Sequence, residues 1–247
     1  MSGDTWLVLG ASSAIARAFA RAVAARGHAV LLAGRDGQDL ELTAQDIRTR
    51  HGVECAVRAF DATDFESHAG FAAEARAAAT GTLNVFLAFA TMPEQAAMDA
   101  DFGLARDMAA ATYLGPISVL TALAPLLEAQ GRGRVVILGS VAGDRGRAKN
   151  YAYGSAKAGL HAYAQGLRAR LFPAGVTVTT VKPGFIDTAM TWGEEGLFLV
   201  ATPEAAAQAC LRFAEKGVEE RYFPAFWWLI MTIIKAIPER IFKRLGI

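Results

Sequence analysis

The feature that most constrains this chain is an alternation of short β-branched and aliphatic runs with longer alanine-rich stretches, sustained from the first residues to beyond residue 180. Residues 6–10 (WLVLG), 29–34 (AVLLAG), 54–60, 83–90, 134–140 and 176–183 (VTVTTVKP) read as strands, most of them apolar at successive positions. Strands of that kind are covered on both faces, the condition of a parallel sheet with helices on either side. Between them, residues 14–26, 38–50, 65–80, 101–130 and 151–172 carry helical spacing, and Gly27, Gly52, Gly81, Gly131 and Gly175 stand where those helices should stop. The predicted class is α/β, with one doubly wound parallel sheet.

Composition narrows what such a sheet serves. At 247 residues and 53% hydrophobic, the chain can bury one sizeable core, and no linker or charge block divides it. We therefore expect one domain over residues 1–220, with a loop at about 185–202 over the strand ends where ligands of such sheets bind, its substrate loop, and a last strand and tail over 221–247. Lys+Arg 25 against Asp+Glu 24 leaves a net charge of +1, which excludes nucleic acid as an expected partner. Cys55 and Cys210 stand alone in apolar surroundings and read as core residues of a protein in a reducing compartment, the cytoplasm. His28, His51, His68 and His161 are scattered without metal-ligand spacing; they read as surface or cap residues, and no metal is expected. No basic stretch precedes an apolar one at the N-terminus, so no signal peptide is expected.

The first turn, Gly10-Ala11-Ser12-Ser13-Ala14-Ile15-Ala16, falls between the first predicted strand and helix. Small residues there let the backbone approach a pyrophosphate at the positive helix end; a tight turn that binds no nucleotide is the alternative. The second strand ends in Gly34-Arg35-Asp36, with the guanidinium ahead of the acid. Such an arginine can bond a 2′-phosphate and stack on adenine, so NADP(H) is expected over NAD(H). After the third strand, Asp61-Ala62 places a carboxylate able to accept from an adenine amino group or to cap the following helix.

Ser140 ends the fifth strand, and Tyr153 and Lys157 lie four residues apart, on one face of the next helix. Hydride delivered to a carbonyl carbon leaves an alkoxide that must gain a proton. In that chemistry Tyr153 would be the general acid, Lys157 would lower its pKa and hold the nicotinamide ribose, and Ser140 would donate to the carbonyl oxygen.

With these motifs in place, residues 5–225 resemble the short-chain dehydrogenase/reductase (SDR) family, a Rossmann-type fold: GASSAIA is similar to its cofactor turn, Tyr153-Gly154-Ser155-Ala156-Lys157 to its Tyr-x-x-x-Lys, and Pro183-Gly184 to its Pro-Gly. The resemblance implies that Ser13 and Ile15 line the pyrophosphate, that Ala88 and Ala90 pass beneath the adenosine ribose, and that Ile186 and Thr188 contact the carboxamide. It also implies a small-molecule carbonyl or alcohol substrate and a homo-oligomer, dimer or tetramer. The chain departs from the family at Ala14 and Ala16, where glycines are usual and methyl groups narrow the phosphate approach, and at Ala88-Phe89-Ala90-Thr91, which replaces Asn-Asn-Ala-Gly. Thr112 stands for an asparagine that holds a relay water, and its hydroxyl is expected to hold that water instead. Because of these departures, a catalytically silent nucleotide-binding sensor or scaffold is the competing reading.

Beyond residue 220 the character changes. Residues 222–234 are an uncharged run of 13, shorter than the ~20 residues of a spanning helix. Residues 221–247 hold five basic residues (Arg221, Lys235, Arg240, Lys243, Arg244) and one acid (Glu239), a local +4 against +1 for the chain. Trp227 and Trp228 beside an aliphatic run and basic residues suit a membrane interface, and equally a subunit contact. The tail resembles that of decaprenylphosphoryl-2-keto-pentose reductases, which implies a lipid-linked sugar substrate and peripheral membrane contact. A membrane adaptor using only the tail leaves the catalytic spacing unexplained.

Overall fold

The structure, a computed structural model, describes residues 3–193 and 198–245. Its elements in chain order are β1 (Thr5–Leu9), α1 (Ala14–Ala24), β2 (Ala29–Gly34), α2 (Gly37–His51), β3 (Cys55–Ala59), α3 (His68–Ala78), β4 (Leu83–Leu87), α4 (Gln95–Ala100), α5 (Phe102–Ala109), α6 (Gly115–Gln130), β5 (Gly133–Leu138), α7 (Tyr151–Leu171), β6 (Val176–Pro183), α8 (Pro203–Glu215), β7 (Glu220–Phe223), α9 (Trp227–Ala236) and α10 (Glu239–Phe242). The seven strands form one parallel sheet in the order β3-β2-β1-β4-β5-β6-β7. The order reverses between β1 and β4, and ligands of such sheets bind outside the carboxyl ends at that switch point.

Strand pleating distributes the apolar residues to both faces. Trp6 and Val8 of β1 join one core with α1, α2 and α8, whereas Leu7 and Leu9 join the other with α3, α6 and α7. In the first core Trp6 meets Phe19 edge-on at 5.0 Å, and Phe19 stacks on Phe86 at 3.9 Å. Both cysteines are buried and unbridged. All five glycines expected to stop helices have positive φ, between 65° and 81°, a conformation glycine adopts without strain.

The expected helix over 101–130 is present as one helical run, Phe102–Gln130, with a local change of hydrogen bonding inside it. Asp101 caps α5 through its side chain, a π-helical turn spans Ala110–Leu114, and α6 follows. The preceding α4 is absent from the sequence expectation. β4 also ends at Leu87 rather than residue 90, because the chain leaves the sheet there and crosses towards the site.

The last strand pairs with β6 in the register Thr180↔Glu220 to Pro183↔Phe223. Tyr222 of this strand and, beyond it, Trp227 and Met231 pack on Val141 and Phe185, so one face of the tail is seated on the domain.

Candidate active site

The carboxyl ends of β1, β2 and β4 form one half of the site. Gly10 has φ 76°, and a Cβ there would lie 2.7 Å from Cβ of Phe89. Glycine is required by both conformation and space. Ser13 caps α1 by accepting from the Ala16 N–H at 3.2 Å, and its own N–H donates to the Gly10 carbonyl at 3.1 Å. Ser12 is exposed and Ile15 half-buried beside it. The expectation that the methyl groups narrow the phosphate approach is corrected for Ala16, whereas Ala14 is exposed at the head of α1. Both lie inside α1, where φ is negative and alanine is favoured over glycine by ~1 kcal/mol. The Ala16 methyl points into the core rather than at a ligand.

Phe89, in place of a polar residue, lies against Gly10 and its ring sits 5.5 Å from that of Phe60. The Ala88 N–H donates to the Leu9 carbonyl at 3.0 Å, holding the departing chain to β1. This floor is apolar, and the glycine cradle with the capped start of α1 above it fits a dinucleotide.

Arg35 is exposed and makes no hydrogen bond among the described residues. Asp36 is occupied elsewhere: it caps α2, accepting from the Asp39 N–H at 3.1 Å. Asp61 Oδ1 accepts from Thr63 N at 2.8 Å and Thr63 Oγ1 at 2.7 Å, and these bonds, helped by Arg35 and His68, hold its carboxyl below the usual range. The cap it makes is local, over Thr63 rather than the following helix, and it occupies Oδ1 alone. Ala62 packs close to α6, where a Cβ on Gly115 would meet its carbonyl at 2.3 Å.

The other half is built by β5 and α7. Ser140 is extended at the end of β5, and its Oγ accepts from the Ala142 N–H at 3.1 Å. With that acceptor position taken, its O–H remains to donate. Tyr153 and Lys157 are both buried at the head of α7. Lys157 Nζ donates to the Leu138 carbonyl at 2.9 Å and lies 5.8 Å from the Tyr153 ring centre. Ala90 packs in the same cluster as Tyr153, which brings the end of the β4 crossing to the catalytic helix.

Here the electrostatics differ from expectation. Burial pushes the Tyr153 phenol up to about 12, with the Ser140 hydroxyl the opposing influence, and pushes Lys157 down to about 8. Desolvation outweighs any stabilisation of the phenolate, so at neutral pH the tyrosine is held as a proton donor.

Thr112 also differs. It is fully buried in the π-helical turn; its Oγ accepts from the Thr91 N–H at 3.0 Å and donates to the Thr91 carbonyl at 3.1 Å. Its one proton is spent on the backbone, so it staples the β4 crossing rather than donating to a water.

Pro183 ends β6. Beyond Gly184, Ile186 is buried and bridged to Ala201, and the Thr188 N–H donates to Thr191 Oγ1 at 3.2 Å. Part of the expected substrate loop, residues 194–197, lies outside the described residues. The tail reaches this corner: Phe185, Phe198 and Trp227 form an aromatic cluster, and a Cβ on Gly184 would lie 1.9 Å from Trp227 Nε1.

Two histidines read as surface or cap residues are instead buried. His68 contacts Ser118 Oγ and the Asp61 carbonyl at 2.8 and 2.9 Å, and His161 Nε2 accepts from the Ser140 N–H at 3.3 Å. The signal for His161 was its position four residues beyond Lys157, on the same helix face.

A switch-point cradle and a buried tyrosine–lysine pair beside a serine at the next strand end together define a dehydrogenase of the dinucleotide-binding class. A family model described as short chain dehydrogenase matches residues 4–195. An uncharacterized oxidoreductase of Mycobacterium tuberculosis is 33% identical over 239 residues, covering 97% of this chain and 96% of that protein. An uncharacterized oxidoreductase of Streptomyces coelicolor is 36% identical over 241 residues, covering 97% and 94%. Among solved structures, a short chain dehydrogenase/reductase family protein superposes with a TM-score of 0.79 at 30% identity, covering 90% of this chain and 95% of that one. A Burkholderia cenocepacia short chain dehydrogenase in complex with NADP shares the fold at a TM-score of 0.83 and 23% identity, covering 99% and 98%. The chain belongs to the short-chain dehydrogenase/reductase family of oxidoreductases.

Proposed function

We propose that this protein is an NADP(H)-dependent oxidoreductase that reduces a ketone, or oxidises a secondary alcohol, by hydride transfer, with Tyr153 as general acid/base. The observation that carries the reading is the burial of Tyr153 and Lys157 together beside Ser140. Gly10, Ser12, Ser13 and Ile15 would hold the pyrophosphate, Asp61, Ala62, Ala88 and Ala90 the adenosine, and Pro183, Ile186 and Thr188 the nicotinamide end. When bound, the nicotinamide supplies the hydride. Ser140 Oγ donates to the carbonyl oxygen and fixes its direction, Tyr153 Oη gives that oxygen its proton, and Lys157 orients the ribose.

Arg35 supports the preference for a 2′-phosphate, because Asp36 is engaged in capping α2 and does not compete. NADP is also the ligand named for the Burkholderia structure. Titration of the purified protein with NADPH and NADH, followed by fluorescence, tests this beside Arg35→Ala. We expect tighter binding of NADPH, weakened roughly tenfold or more in the variant, as loss of a charge-assisted pair predicts. Equal binding of both nucleotides overturns the preference. NADPH binding without turnover of any ketone returns the reading to a silent sensor or scaffold.

The exposed apolar residues of the substrate loop, Met190, Trp192, Phe198, Leu199 and Val200, favour a substrate with an apolar part, such as a lipid or lipid-linked sugar. Residues 221–247 support a peripheral membrane contact, for a protein otherwise cytoplasmic and homo-oligomeric.

A further inference from the structure

Behind Ser140 lies a polar network that the proposed reaction does not use directly. His161, on α7, fills space that only glycine leaves at two positions of the catalytic loop. A Cβ on Gly139 would lie 2.3 Å from His161 Nε2, and one on Gly143 would lie 2.7 Å from Cε1. Nε2 accepts the Ser140 N–H at 3.3 Å, which requires an unprotonated nitrogen. Burial and the Lys182 and Lys157 ammonium groups push the imidazole down to about 3 against the opposing pull of Asp144, so it is neutral. Its proton then sits on Nδ1, 3.8 Å from Asp144 Oδ1.

Asp144 is itself buried and fully engaged. Oδ1 accepts from Lys182 Nζ at 2.8 Å and Oδ2 from the Tyr222 hydroxyl at 2.6 Å. Lys182 is paired on its other side with Glu220 at 2.9 Å, and Lys235 Nζ of α9 donates to Tyr222 Oη at 3.3 Å. The adjacent Arg145 seizes the end of α9: Nη1 donates to the carbonyls of Ile234, Lys235 and Ile237 at 3.0, 3.0 and 2.6 Å, and Nη2 to Glu239 Oε2 at 2.9 Å. A guanidinium at the carbonyl end of a helix is favourably placed against its dipole.

We propose that His161 and Asp144 are positioning residues for Ser140, and that the C-terminal extension, held by Arg145, is the back wall that keeps them in place. The inference rests on the oxidoreductase reading, since Ser140 must touch the carbonyl oxygen for its placement to matter. Substitution of His161 by leucine leaves the Ser140 N–H without its partner and frees the end of β5. Glutamine can offer Oε1 to the same N–H.

The test is a double-mutant cycle in the full chain, with NADPH and a panel of aliphatic and aryl ketones, recording kcat, KM and NADPH affinity. We expect His161→Leu to lower kcat about tenfold while NADPH affinity stays within about twofold, and His161→Gln to restore most of the rate, from the typical loss of a buried bond. In a Ser140→Ala background the leucine substitution should add little, because residues acting as a unit are non-additive. Should the leucine protein not fold, Arg145→Ala, which leaves His161 in place and frees α9, is read in the same cycle. An equal loss with and without Ser140, or no rescue by glutamine, overturns the inference while wild-type turnover leaves the oxidoreductase reading standing. A wild-type protein that binds NADPH and turns over none of the panel overturns both.

Discussion

In the unfolded chain a histidine binds its proton near pH 6.5, whereas burial holds His161 down to about 3 in the folded protein. Between those values the unfolded state carries the extra proton, so stability rises with pH across the window and is lost as pH falls through it. We expect the melting temperature to drop on acidification from pH 7 towards 4, and His161→Gln to flatten that drop by up to one proton's share, at most ~1.4 kcal/mol per pH unit. Melting curves of the two proteins across that range decide it; parallel curves would mean that His161 does not titrate alone. Lys157, down to about 8 from 10.5, has the same sign at higher pH, so stability rises between those values. At this level the sequence was legible where chemistry is local: Ser140, Tyr153 and Lys157 converge as their spacing predicts. It was silent about Asp144, whose partners Lys182 and Tyr222 are 38 and 78 residues away. No window of sequence contains that contact.

Helices and strands were easier to read than their interruptions. The strand at 176–183 has the observed ends, since a β-branched run of valines and threonines between Gly175 and Gly184 leaves little choice. The stretch 101–130 was read as one helix because its apolar spacing continues through the π-helical turn, which alters hydrogen bonding and not composition. That turn places Thr112 against residue 91. Thr112→Val keeps the shape and removes both bonds, so we expect a loss of about 1 kcal/mol. NADPH affinity should fall as well, because the freed segment includes Ala88 and Ala90. Thermal melting and nucleotide titration of the one variant read both effects. Unchanged nucleotide affinity would show that the staple serves stability alone.

The whole molecule is asymmetric in charge and in surface. The tail's buried face is its seat on the sheet edge, and its other face leaves Trp228, Leu229, Ile233 and Ile241 each more than half exposed beside Arg240, Lys243 and Arg244. Apolar residues flanked by cations suit an anionic bilayer surface. We expect the full chain to sediment with phosphatidylglycerol vesicles, and a Leu229→Glu, Ile233→Glu double variant not to. If the wild type stays in solution and the variant instead loses a dimer, that face belongs to a second copy of the chain. Sequence alone left the choice open because a lipid surface and a subunit select the same side chains. The indole of Trp227, lodged where any side chain at position 184 would sit, has a consequence for enzyme engineering. A substrate loop borrowed from a relative would arrive without the tail that its first residues are moulded against. Chimaeras that exchange the loop and the C-terminal helix as a matched pair should therefore keep their shape where loop-only grafts lose it.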